Sequence, residues 1–152
     1  MKRIRHRSHS NERGQALLET ALVLPIVLLV AVGIFEFGRA FQTWQILTNA
    51  AREGARIAVL PSSSVSDVQS RVVTYLHQGQ LPDATTDMVV VDQSVTMPIG
   101  ATATASASVV SVNYPFSFVM LNPVARLVSN SGSLGASPFT MVASAQMRNE
   151  AQ

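Results

Sequence analysis

Residues 13–39 read RGQALLETALVLPIVLLVAVGIFEFGR, and this stretch determines the fold class. No charged residue occurs from Thr20 to Phe35. Counted from Ala16, with Glu19 tolerated near one end, the apolar segment has about 20 residues. At ~1.5 Å per residue it spans the roughly 30 Å hydrocarbon core of a bilayer. The stretch therefore predicts a single membrane-spanning helix.

Charge is distributed unevenly on the two sides of this helix. The formal net charge is +2, yet five basic residues precede the apolar run, where Glu12 is the only acid. The remaining chain has six basic and eight acidic residues, a net charge of −2. A basic cluster before an apolar run indicates a cytoplasmic N-terminus. We therefore expect a single-pass protein of the cytoplasmic (inner) membrane, with its C-terminal domain outside and no nucleic-acid partner. The basic cluster consists of Lys2, Arg3, Arg5, Arg7 and Arg13.

The far end of the apolar run allows a second interpretation. Ala31-Val32-Gly33 offers the small residues of a secretory cleavage site. The apolar run continues past this point into Ile34-Phe35 and ends only at Glu36 and Arg39, which lie three apart on one helix face. Ordinary signal peptides have shorter apolar cores, so a membrane-spanning helix is favoured over simple secretion.

Two residues inside the span are unusual for a membrane helix. Pro25 removes one helix hydrogen bond and clashes with the carbonyl of Ala21, so it predicts a local bend. Glu19 is ionisable, and such a residue in an apolar segment is usually functional. It also lies near the cytoplasmic interface, where a carboxylate reaches water cheaply. Position alone leaves both interpretations of Glu19 open.

The order of short motifs carries a family resemblance. Gly14 follows the basic leader and Glu19 comes five residues later, which resembles the class III signal that prepilin peptidases cut after the glycine. Leu22-Val23-Leu24-Pro25, Gly33–Arg39 and Leu47–Arg56 then follow in order. Together these motifs resemble the TadE-like family of the tight adherence (Tad, or Flp) pilus system, over the chain up to about Leu60.

The resemblance implies a pseudopilin or minor pilin that is needed to assemble a type IV-like adhesive pilus. Cleavage after Gly14 would make Gln15 the mature N-terminus, and Glu19 would pair with the amine of a neighbouring subunit. The implied partners are the prepilin peptidase, pilin and other pseudopilin subunits, the inner-membrane pilus assembly platform and membrane lipid. Entry into the filament and retention in the membrane both remain open, as does a TadF-like role. TadG-like proteins usually carry a large additional domain, for which this chain has no room.

The motifs divide the chain into a basic cytoplasmic leader (1–14), the membrane helix with its extracytoplasmic extension (15–60) and a small extracytoplasmic domain (61–152). The helix should continue to about Ala58, with an apolar stripe that packs mostly against the protein's own domain. Gly54 within this extension predicts a close approach of another backbone. The stripe consists of Phe41, Trp44, Leu47, Ala51 and Ala55, of which the first two could instead lie near the membrane surface.

The C-terminal part predicts a second helix and a sheet. Ser64 and Asp67 form a capping box before a helix with one apolar face, which ends near Gly79 and packs on a sheet. The fold class is α+β: a long membrane-spanning helix, then a short helix packed on a three-stranded antiparallel sheet. The predicted elements are a strand over 87–95, a turn over 97–100, a strand over 101–114 with a bulge near Val109-Val110, a short helix over 122–128, a flexible loop over 129–133 and a strand over 139–147.

No constellation of catalytic residues is visible in the sequence. The chain has no cysteine, and His6, His9 and His77 are too scattered for a metal site. Asp83, Asp87 and Asp92 do not follow a calcium-loop pattern. Neither a phosphate-binding glycine loop nor a nucleophile elbow occurs. We therefore expect no enzymatic activity, no catalytic residue, no cofactor and no metal. A membrane-anchored extracytoplasmic binding module unrelated to pili remains the alternative, and it should tolerate Gly14→Ala or Glu19→Leu.

Overall fold

The computed structural model describes residues 10–99, 103–120 and 139–149, with side chains from Gly14 onward. It confirms the α+β class, with one long apolar helix, one short helix and a three-stranded antiparallel sheet. The helix predicted to end near Ala58 ends at that residue. The elements are α1 (Ser10–Ala58), α2 (Val65–Gln78), a 3-10 turn (Thr86–Met88), β1 (Val89–Ile99), β2 (Ala103–Phe116) and β3 (Phe139–Arg148).

The sheet has the order β1-β2-β3, with β2 in the centre. The outer half of α1 lies against β2 and β3, while α2 packs beside α1 and onto β1. The helices therefore cover one face of the sheet. The end of β2 at Phe116 lies next to Arg39, whose guanidinium carbon is 5.3 Å from the ring centre of Phe116. The end of β2 is thus the part of the sheet nearest the apolar half of α1.

The core forms where α1, α2 and the sheet meet. Small residues on α1 allow this close packing, since Ala51 and Ala55 are fully buried against larger side chains of the other elements. Phe41 and Trp44, predicted as part of the same stripe, are exposed instead. In the outer half of α1 the buried face begins at Thr43 and continues with Leu47, and Glu36 is also buried about two turns earlier. The core cluster includes Leu47, Ala50, Val68, Val72, Leu76, Val89, Val110, Val112 and Ala143.

Side chains from the sheet receive the C-terminal end of α1. The carbonyl of Ala58 has no donor within the helix, and it accepts hydrogen bonds from Gln93 Nε2 at 3.2 Å and Ser108 Oγ at 3.3 Å. Ser108 is fully buried, and its one hydroxyl proton is shared between the Ala58 carbonyl and Asn149 Oδ1, which is the closer acceptor at 2.7 Å. These bonds hold the end of α1 on the sheet and satisfy a carbonyl that would otherwise be costly to bury.

The predicted capping box of α2 is confirmed. Ser64 Oγ accepts from the backbone N–H of Asp67 at 3.2 Å, and the Asp67 carboxylate accepts from the backbone N–H of Ser64 at 3.2 Å. The helical spacing predicts one apolar face with Val65, Val68, Val72 and Leu76. The last three are buried, whereas Val65, in the first turn, is exposed.

Two predicted details of the sheet are wrong. Met97, Pro98 and Ile99 are not a turn, because β1 continues through Ile99. Pro98 is tolerated because β1 is an edge strand, where a residue without an N–H loses no ladder bond on the open side. The bulge predicted near Val109-Val110 lies at about that level of the sheet but in the other strand: the register shifts between Asp92 and Val95 of β1, which pair with Val109 and Ala107, while the β2–β3 pairing is regular. The helix predicted over 122–128 and the loop predicted over 129–133 lie outside the described residues.

Candidate membrane-anchoring and assembly site

The residues predicted for processing lie near the beginning of α1. The helix begins at Ser10, so Gly14, Gln15 and Glu19 are all helical. All three are exposed, and no atom lies within 4 Å of the position that a Cβ on Gly14 would take. Gln15 and Glu19 are four residues apart and therefore share one face of the helix. The backbone around Gly14 is accessible from outside this chain.

A groove runs along the Glu19 face of α1. Its volume is about 360 Å³, and its polar members, Glu19 and Thr20, lie at one end. The Thr20 hydroxyl donates to the carbonyl of Ala16 at 2.8 Å, so it is satisfied within the helix. The groove therefore presents a carboxylate beside an otherwise apolar surface. Its described lining residues are Ala16, Glu19, Thr20, Val23, Leu24 and Val27.

Pro25 lies inside α1, which continues as a helix on both sides of it. The large apolar side chains from Leu17 to Ile34 are exposed, and no part of the most apolar window is buried inside the molecule. A helix that is apolar all round and buries none of that surface has the properties of a membrane span. By length and composition, α1 is able to cross a membrane.

The outer end of the apolar segment contains a buried acid. Glu36 is 0% exposed, and its Oε2 atom lies 3.0 Å from Arg39 Nη1. Its Oε1 atom accepts a hydrogen bond from the backbone N–H of Met120, in the segment that follows β2. The ring of Phe116 contacts Arg39 and packs edge-on against Phe118, with ring centres 5.3 Å apart. An acid, a cation and two aromatic rings therefore join the helix to the end of β2.

Sequence reasoning placed Glu36 and Arg39 on one face but missed the segment that covers them. The contact between Glu36 and Met120 joins residues 84 positions apart. The available signal was the run Pro115-Phe116-Ser117-Phe118-Val119-Met120, which is apolar and has no charged residue. The apolar alternation of β2 continues past Tyr114 through Phe116 and Phe118, and this could have indicated that the ordered chain extends beyond the predicted strand end.

Gly54 lies where α1, α2 and β2 come closest. A Cβ placed on it would lie 2.5 Å from Val72 Cγ2 and 3.0 Å from Val110 Cγ1. The neighbours are therefore valine methyl groups of the same chain rather than another backbone. Val72 and Val110 are both fully buried, so they have little room to move.

A polar cavity of about 260 Å³ lies beside the junction at Arg39. Burial raises the pKa of Tyr114 in its wall, and the negative charge of Asp83 adds to the increase. Within the described ranges no group of three or more His, Asp or Glu side chains is placed to hold a metal ion.

This arrangement defines a class of protein: a small α+β domain carried on one apolar helix, with the features of a single-pass membrane anchor. Residues 14–56, which include most of α1, match the family model described as TadE-like protein. The match confirms the resemblance to the TadE-like family over this segment, and it indicates a protein associated with the Tad pilus. Neither a curated protein nor a solved structure matches this chain.

Proposed function

We propose that this protein is a pseudopilin or minor pilin for assembly of a Tad/Flp-type, type IV-like adhesive pilus. The observation that carries the proposal is the TadE-like match, which begins at Gly14 and includes the helix face with Glu19. In this proposal a prepilin peptidase cuts after Gly14 on the cytoplasmic side of the inner membrane. Residues 1–14 are the leader, and the domain outside the membrane is what the anchor displays.

The proposed chemistry of Glu19 follows from its distance to the new N-terminus. Four residues of helix place Glu19 about 6 Å along the axis from Gln15. Cleavage frees an α-amino group at Gln15, which is positively charged and lies near the edge of the bilayer. A carboxylate in a medium of low dielectric constant stabilises such a cation strongly, provided that the pair is well formed. In the proposed assembly, Glu19 supplies this counter-charge to the α-amino group of a neighbouring subunit, as the family resemblance implies.

The groove beside Glu19 supports a helix as the partner. It follows one face of α1 through Val23, Leu24 and Val27, the side on which a second helix would bring its N-terminus to Glu19. Pro25 lies within this length of helix, and we propose that it shapes the contact by leaving the Ala21 carbonyl without a helical donor. Pilin and pseudopilin helices, presented by the inner-membrane assembly platform, are the proposed partners.

The experiment that tests processing is a mass measurement on the full chain. The protein is co-expressed with its own prepilin peptidase, and in parallel with an active-site-dead form of that enzyme. We expect loss of residues 1–14 with the active peptidase alone. Gly14→Ala should remain intact, whereas the matched variant Gly33→Ala should be cut normally, because no atom lies within 4 Å of a Cβ at Gly33. An intact wild-type chain under both conditions, or a cut after Gly33, would contradict the proposal.

The alternative, a membrane-anchored binding module, is separated from pilus assembly by Glu19→Leu. This change keeps the helix apolar and its insertion intact. A pseudopilin carrying it should still be cut, but should no longer support piliation, because the counter-charge for the neighbouring amine is gone. A binding module should be unaffected. Filament counts by electron microscopy, with carbonate extraction to verify insertion, distinguish the two.

A further inference from the structure

The segment Ser117–Met120 lies beside α1 at the outer end of its apolar run. The backbone N–H of Met120 reaches Glu36, and Glu36 directly follows the uncharged stretch that ends at Phe35. An apolar span of about 20 residues from Ala16 crosses roughly 30 Å, so Glu36 lies at the outer boundary of the hydrocarbon core. The segment after β2 is therefore held at the depth of that boundary.

The same level of the molecule exposes apolar side chains on both the segment and α1. Val119 is 57% exposed and Met120 is also exposed, while Phe35 and Phe37 on the adjoining helix surface are exposed as well. No charged residue occurs between Asp92 and Arg126, so the segment carries no group that resists apolar surroundings. An exposed apolar patch beside a membrane-spanning surface is expected to contact lipid.

Glu36 gives a physical reason for this placement. A carboxylate at the edge of the hydrocarbon core is costly unless it is paired and hydrogen-bonded. Arg39 supplies the charge partner at 3.0 Å, and Met120 supplies a backbone donor. Seating the segment against α1 covers the carboxylate completely, and it turns the side chain of Val119 outward to where lipid would lie.

We propose that Ser117–Met120 is a second membrane-contacting element, which inserts into the outer interface of the bilayer against α1 and shields Glu36 from lipid. This inference rests on the proposed membrane anchoring of α1. Lipid is the partner of this segment. The domain is then held close to the membrane surface by two contacts, α1 and Ser117–Met120, rather than by α1 alone. The half-exposed guanidinium of Arg39 lies where it can reach the headgroup region.

The absence of cysteine from the chain makes a clean test possible. Three single-cysteine variants of the full chain, Val119→Cys, Val90→Cys and Leu28→Cys, are labelled with an environment-sensitive nitrobenzoxadiazole dye. Val90 is the matched control: it is a valine that is 54% exposed, and it pairs with Ser111, about five residues or roughly 16 Å along β2 from Phe116. Leu28 reports the middle of the span.

The variants at 119 and 90 are reconstituted in phosphatidylcholine–phosphatidylglycerol vesicles with or without lipid carrying a spin label near the headgroup, and the variant at 28 with or without lipid carrying a spin label deep in the acyl chain. We expect the label at 119 to emit further to the blue and to be quenched at least twofold more than the label at 90. Equal, weak quenching at 119 and 90, with normal quenching at 28, would overturn this inference alone. Absence of quenching at 28 would overturn the anchoring of α1, and this inference with it.

Discussion

Glu36 is the residue on which the junction between helix and domain depends. It is buried, paired with Arg39 at 3.0 Å, and it accepts the N–H of Met120. Glu36→Gln keeps the shape but removes the charge, so the charge-assisted bonds lose about 1–3 kcal/mol. We predict that exchange of the Met120 amide with deuterium becomes roughly 5- to 150-fold faster, since 1.4 kcal/mol corresponds to about a factor of ten.

Glu53→Gln is the control for this prediction. Glu53 also pairs with an arginine, Arg71, at 3.1 Å, but both side chains are partly exposed, and such surface pairs contribute only about 0–1 kcal/mol. The Met120 amide should exchange at the wild-type rate in this variant. The account of the junction would be wrong if Glu36→Gln left that rate unchanged too.

The absence of a side chain at Gly54 matters for packing rather than for charge. Gly54→Ala would usually stabilise a helix by about 1 kcal/mol. Here the new methyl group would meet Val72 and Val110 at 2.5 and 3.0 Å, so we predict a net loss of about 1–3 kcal/mol from overpacking. Urea unfolding of the detergent-solubilised protein, followed by circular dichroism, measures this.

Gly38→Ala on the same helix is the comparison, because no atom lies within 4 Å of a Cβ there. It should leave the free energy of unfolding unchanged or slightly higher. If Gly54→Ala behaved in the same way, the three elements would not be as closely packed as the distances indicate.

At the scale of single elements, α2 depends on its capping box. Ser64→Ala removes the side-chain acceptor for the Asp67 N–H, and we predict a loss of about 1 kcal/mol in the free energy of unfolding at neutral pH. Ser70→Ala, at an exposed position in the middle of the same helix, should cost little. Denaturant unfolding of both variants checks the difference, and equal values would contradict the cap.

The same box gives α2 a pH dependence. Hydrogen bonds from the Ser64 hydroxyl, the larger cause, and from the Ser64 backbone N–H lower the pKa of Asp67 from its usual 3.8. A lowered pKa means that the stabilisation is complete above about pH 3.8 and is lost as the pH falls through the folded-state value. In Ser64→Ala the pKa of Asp67 should move back up, which a carboxyl NMR titration detects. An unchanged pKa would show that the hydroxyl bond is absent in solution.

The secondary-structure elements show which features of the fold can be predicted from local sequence patterns. The bounds of α2 and its buried face were predicted because capping residues and helical spacing are local signals. The turn predicted at Met97 is wrong. Proline disrupts a central strand, but it is compatible with β1, which is an edge strand. The change of phase in β2 predicts a bulge in that strand, whereas the one extra residue is in β1, where Gln93 and Ser94 lie opposite Ser108 and Gln93 donates to the Ala58 carbonyl. The pairing with β2 and the contact with α1 decide which of the two strands carries the extra residue, and neither is a local signal.

At the scale of the whole molecule, the family segment 14–56 and the packed domain overlap on the outer half of α1. The candidate site on the apolar half could be proposed from the sequence, because Gly14 and Glu19 resemble a local processing motif. The junction at Glu36 did not, because it depends on a segment 84 residues away. One continuous helix, with Pro25 between them, carries both the proposed assembly face and the domain.

The orientation of the chain across the membrane depends on the charge distribution of the whole molecule. The basic leader before α1 and the net charge of −2 after residue 14 predict a cytoplasmic N-terminus and an external domain. In spheroplasts expressing the unprocessed Gly14→Ala chain, a membrane-impermeant maleimide should label Thr96→Cys at once, but Ser8→Cys only after permeabilisation. Replacing Lys2, Arg3, Arg5 and Arg7 by glutamine should make the orientation mixed, because the charge bias that retains the leader is then largely removed. Immediate labelling at position 8 in the chain with its basic leader intact would reverse the topology, and it would place Gly14 beyond the reach of a cytoplasmic-side peptidase.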